Sequence, residues 1–187
     1  MEKKYMFTES IAFNGHVLHR IKALRDFIDI KKGDLGGFVE HEGNLSHEGN
    51  CWLYNHAKVF DEATISGNAT LRNYAQVYGN AKISGNAKIS GFAEVYGSAL
   101  VSENSHVDDD ARVFGNAEAT GNSIISNSAW IFNDAYICDN AKVLGRTSVF
   151  GNAKVSGNAK ICGFARVCDT AIVSGDSVVK DYEYTQE

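Results

Sequence analysis

Proline is missing altogether from the 187 residues, although a typical usage of ~5% predicts roughly nine. An architecture that spends nearly every backbone N–H tolerates no proline, so extended hydrogen-bonded structure is indicated. No apolar run approaches the ~18 residues of a membrane-spanning helix, and no membrane association is expected. There is no block of lysine and arginine, and the net charge is −5, which argues against a nucleic-acid partner. Met1 to Thr8 lack the apolar core of a signal peptide, so a cytoplasmic location is expected. The four cysteines do not fall at stacked positions of the repeat described next, and no disulfide is expected.

What is abundant is small and repetitive. From residue 57 the chain divides into sixes without insertion or deletion, beginning Ala57-Lys58-Val59-Phe60-Asp61-Glu62 and ending Ser177-Val178-Val179-Lys180-Asp181-Tyr182. Of the twenty-one positions 57, 63 through 177, seventeen are Ala, three are Ser and one is Thr147. Two residues further on, every position is Val, Ile or Leu except Ala119. Such a pair fits a short strand whose alternate side chains point inward. The Gly-Asn pairs that follow, as in Gly85-Asn86, supply corners, because both residues tolerate positive φ. Units this short stack as a solenoid.

The residue after each inward aliphatic sets the number of units per coil. Every third unit carries Phe60, Tyr78, Tyr96, Phe114, Phe132 and Phe150, and then Cys168. A second series (Ser66, Ser84, Ser102, Thr120, Cys138, Ser156, Ser174) is uniformly small, and a third is mixed. A period of 18 therefore predicts a three-sided coil. In-phase units from Cys51 to Tyr182 make about seven coils, or roughly 35 Å at ~4.8 Å per rung. Residues 1–44 break the repeat and are expected to form a small N-terminal β-hairpin cap, with Asn14-Gly15 at its turn. The helix is then assigned to 45–182 and a C-terminal tail to 183–187.

The [Leu/Ile/Val]-x-Gly-Asn-[Ala/Ser]-x units resemble the hexapeptide-repeat superfamily, which implies an all-β, left-handed parallel β-helix. Leu24-Arg25-Asp26-Phe27, Asp34-Leu35-Gly36-Gly37-Phe38-Val39 and Asn44 to Trp52 are similar to YdcK-like hexapeptide proteins, many of them carried by phages and prophages. The superfamily implies an acyltransferase using acyl-CoA, commonly with a catalytic histidine at a subunit groove of a trimer.

From residue 57 on, His106 is the one histidine within the repeats and the weak catalytic candidate, with Asp108 to Asp110 beside it. A general base needs such a carboxylate partner, whereas a solvated surface histidine needs none. The remaining histidines do not align for a three-imidazole metal site, so neither metal nor other cofactor is expected. The aromatic column carries the sharper expectation. Phe60, Tyr78, Tyr96, Phe114, Phe132 and Phe150, with Trp130 beside them, either stack to shield one another or form an interface for a partner or a second copy. The interface reading leads to a non-catalytic, self-associating binding module, trimeric first and dimeric second. On the phage resemblance it would engage a host defence protein or a small signalling ligand.

Overall fold

In the computed structural model, residues 2–181 and the backbone of 183 and 184 are described. The expected tail at 183–187 lies mostly outside the described residues. The architecture is a parallel β-solenoid of about eight turns. Its only helical element is a single 3-10 turn at Glu42–Asn44, among the described residues.

Three parallel sheets form the sides. The aromatic face runs from Lys58–Val59 to Arg166–Val167, the hydroxyl face from Thr64–Ile65 to Ile172–Val173, and the mixed face from Trp52–Leu53 to Val178–Lys180. Residues eighteen apart pair throughout, as Glu94 with Arg112 and His106 with Ile124. Lys58 N–H donates to Ala75 O (3.0 Å) and Phe60 N–H to Val77 O (3.2 Å), so each coil is bonded to the next along the parallel ladder. A proline at either position would remove such a bond, which accounts for its absence.

Corners follow from backbone sterics. The fifth position of every six from Asn55 to Asp181 has positive φ. Glycine takes most of them, and at Gly85 an added Cβ would lie 2.6 Å from the Glu103 backbone nitrogen. Several corners that carry a side chain instead accept a hydrogen bond from the coil above. Glu103 Oε2 accepts from Gly121 N–H (2.8 Å), Asp109 Oδ2 from Asn127 N–H (3.0 Å) and Asp139 Oδ2 from Gly157 N–H (2.9 Å). This extra bond offsets the left-handed conformation that costs a residue with a Cβ.

The N-terminal hairpin joins β1 (Tyr5–Phe13) to β2 (His16–Ala23). It is continuous with the solenoid: β2 pairs antiparallel with β3 (Leu35–Val39), and β3 pairs parallel with Lys58–Val59. Leu45 bridges to Ile65, so a first turn is laid down before the regular sixes begin. Beneath the cap Lys4 is fully buried, and among the described residues it forms no ion pair with a carboxylate. Its Nζ donates to Cys51 O (2.9 Å) and lies 3.2 Å from Cys51 Sγ. Burial drives the lysine pKa down and the Cys51 thiol pKa up. None of the four cysteines forms a disulfide among the described residues.

The core is the column of inward pairs, Ala57 and Val59 through Ala171 and Val173, nearly all fully buried. Each aliphatic side chain there contributes roughly 1.5–3 kcal/mol by leaving water. Val113→Lys replaces that gain with a charge enclosed on all sides. The variant is expected to lose the β-rich circular dichroism or to unfold at far lower urea concentration. An unchanged urea midpoint would show that this position is not enclosed.

Candidate functional site

The coil repeat stacks the aromatic column ring on ring. From Phe60 to Phe150 successive centroids lie 4.8–5.0 Å apart, with planes within 3–5° of parallel. Such stacks hide ring faces and leave edges to solvent. Phe60 is itself buried, because the hairpin closes over it: Phe13 meets it edge-on at 5.9 Å and His16 lies 4.9 Å away. The other five rings are half-buried. Arg166 caps the far end, 5.2 Å from the Phe150 ring, and the next position, Cys168, is buried.

A polar chain runs alongside. The Tyr78 hydroxyl donates to Glu94 Oε2 (3.3 Å), Arg112 Nη2 donates to Glu94 Oε1 (3.5 Å), and the Arg112 guanidinium lies 5.6 Å from the Trp130 ring. Burial, reinforced by the Glu94 charge, pushes the Tyr78 phenol well above its ordinary pKa. Trp130 stands outside the stack, edge-on to Phe114 at 6.5 Å.

Beside Trp130 the corner between the mixed and aromatic faces opens into a groove of about 290 Å3, lined by Ser128, Trp130, Arg146, Thr147 and Ser148. Along this edge the corner N–H donates to the residue three before it at Ala57, Ala75, Ala93, Ala111 and Ala165 (3.2–3.4 Å). Among the described residues no such bond forms at Ala129 or Thr147. Gly145 has φ 88°, against 65–72° at the other glycine corners of the coils. Thr147, which takes the place of the usual alanine, buries a hydroxyl with no hydrogen-bond partner among the described residues. The oversized inward residue and the wide φ of Gly145 coincide with the groove.

Two further ladders escaped the sequence reading. His56, Tyr74 and Phe92 stack at 5.2 and 5.1 Å on the same edge. Their 18-residue spacing was available, but at a corner position rather than after the aliphatic residue. The second ladder is amide. From Asn50 to Asn158 each eighteenth side chain donates Nδ2–H to the next Oδ1 at 3.0–3.2 Å, and Asn158 donates to Asp176 at 2.9 Å. A carboxylate cannot donate onward, so Asp176 ends the column.

His106 projects from the mixed face, half-buried. Burial foremost, and then the charge of Lys88, lower its pKa, while Asp108 acts in the opposite direction. Asp108 Oδ1 accepts from the Ser90 hydroxyl at 2.6 Å, and among the described residues no hydrogen bond joins Asp108 to the imidazole. His106 and the aromatic column lie on different faces and are not brought together.

Together the repeat and the three-sided ladder fit a hexapeptide-repeat β-helix. No protein-family model matches the chain. Over 66 residues, 35% of its length, it is 35% identical to an Escherichia coli (strain K12) protein named "Uncharacterized acetyltransferase YdcK". The match spans only about 20% of that relative. No helix is long and apolar enough to cross a membrane, among the described residues.

Where cap and solenoid meet, His16 Nδ1 and Glu40 Oε1 lie 3.0 Å apart. That bond foremost, with a smaller contribution from the Asp61 N–H, holds the Glu40 carboxyl below its ordinary 4.5 against an opposing effect of burial. A folded value below the unfolded one stabilises the fold above that range, and the contribution fades as pH falls through the folded value. Glu40→Gln is therefore expected to be less stable than the parent protein near neutral pH and to converge with it in acid, as followed by urea melts across pH. A constant difference at every pH would show that the pair contributes nothing.

Proposed function

We propose that this chain is a rigid, non-catalytic binding module that self-associates through its aromatic face, as a trimer first and a dimer second. One observation carries the reading. Trp130, Tyr74, Phe92 and Phe164 are 43%, 47%, 61% and 67% exposed, respectively, on the aromatic face or the edge that leads into it. Each leaves apolar area in water that a partner could cover, and the coils hold them in a fixed pattern. The stacked column beside them supplies a stiff backing. In the phage or prophage setting suggested by the resemblance, the protein would work in the host cytoplasm on a defence protein or a small signalling ligand.

The name of the Escherichia coli relative favours a second reading, an acyl-CoA-dependent acyltransferase with His106 as general base at a subunit groove. A lowered imidazole pKa keeps the ring neutral near pH 7, as a base requires. The lack of a hydrogen bond from Asp108 to the imidazole, among the described residues, and of a loop inserted among the sixes weighs against it.

Light scattering tests the first reading. Replacing Tyr96 and Phe114 with Lys is expected to lower the mass to that of a single chain while circular dichroism keeps its β signature. An unchanged mass removes the aromatic face as the self-association surface. Calorimetric titration with acetyl-CoA tests the second. Saturable heat that disappears in His106→Ala would favour the enzyme, whereas no heat from either protein favours the binding module.

A further inference from the structure

At the seam between hairpin and solenoid, three donors from separate parts of the chain converge. His16 opens β2, Glu40 follows β3, and Asp61 sits at a corner of the aromatic face. One donor atom from each lies within 4.8 Å of the other two. His16 Nδ1 is 3.0 Å from Glu40 Oε1, and its Nε2 is 3.8 Å from Asp61 Oδ1. Backbone groups already hold the other carboxylate oxygens. Asp61 N–H donates to Glu40 Oε2 at 2.7 Å, and Gly79 N–H donates to Asp61 Oδ2 at 3.0 Å. Each carboxylate is thus fixed through one oxygen and turns the other toward the imidazole, which rests against Phe60.

The charges do not balance within the group. Two carboxylates face one imidazole, and among the described residues no lysine or arginine forms an ion pair with either. The nearby Lys58 ammonium donates instead to His56 O (3.2 Å) and lies 4.7 Å from the Phe13 ring. The His16, Glu40 and Asp61 side chains are 28%, 29% and 38% exposed, so an ion and its water ligands can reach them.

We propose that His16, Glu40 and Asp61 bind a divalent transition-metal ion, Zn2+ being the natural first probe. Two ligand atoms each about 2.1 Å from a shared tetrahedral ion are separated by about 3.4 Å, so the 3.0 Å Nδ1 to Oε1 pair has to part by only a few tenths of an ångström to admit one. The ion takes the place of the proton between Nδ1 and Oε1, Asp61 Oδ1, which lies 3.8 Å from Nε2, swings to the Nδ1 side as the third ligand, and water completes the shell. One nitrogen and two carboxylate oxygens suit zinc and its first-row neighbours better than a hard all-oxygen ion. The site ties β2, the end of β3 and the first turns of the solenoid together, and so fastens the cap.

Calorimetry of the full chain with Zn2+ alone tests this. Saturable one-to-one binding is expected, together with a melting temperature that rises with zinc concentration. His16→Ala is expected to weaken affinity about tenfold or more, and His106→Ala to leave it unchanged. Asp61→Asn keeps a residue suited to the positive φ and an oxygen for Gly79 N–H. It is expected to retain the parent circular dichroism while weakening zinc binding. No saturable heat from the parent protein overturns the site, as does affinity undiminished in both His16→Ala and Asp61→Asn.

Discussion

Everything in this molecule depends on the hydrogen bond from one coil to the residue seventeen further on. Because the bond repeats at each rung, as at Lys58 to Ala75 and Phe60 to Val77, it forces every residue to lie over its counterpart in the preceding turn. Like stacks on like: rings on rings, amides on amides, small inward residues on small inward residues. A single aromatic at position 96 would be an exposed liability, but between Tyr78 and Phe114 it is sandwiched at 4.8–4.9 Å on both faces. The amide column works in the same way, each side chain accepting from below and donating above. The corners complete the scheme, since a carboxylate such as Asp109 repays its strained backbone by capping the next turn.

The sixes, the three faces and the aromatic column were all legible in the chain, because a strict period turns sequence distance into spatial contact. The Tyr74 and Phe92 stack obeys the same period but occupies a corner, where Gly-Asn pairs drew attention to backbone conformation instead of side chains. Asn86 likewise belongs to a Gly-Asn corner pair, although its amide also bonds directly to Asn104. The seam was not legible. His16, Glu40 and Asp61 are separated by 24 and 21 residues that obey no common period, and only the way β2 lies against β3 brings them together. Lys4 was hidden for the same reason, since nothing in its neighbours announces burial over Cys51.

Function on such a scaffold resides in outward side chains, and those answer to whatever covers them. His106 lies on the mixed face and the groove beside Trp130 at the corner before the aromatic face, and among the described residues no loop leaves the coil to bring them together. Flat faces and the groove at Thr147 are the features that distinguish this solenoid from a featureless repeat. The partial likeness to a named acetyltransferase covers too little of that protein to carry its activity across.

The unbroken repeat gives the chain a reading frame of eighteen. Gain or loss of eighteen residues lengthens or shortens the prism and leaves every column in place. A change of six keeps the strands and corners but carries all later chemistry round to the next side, placing aromatic beside hydroxyl and breaking the amide column at one coil. Such a protein can vary its length by whole turns in evolution, whereas the smaller step preserves the fold and scrambles the surface.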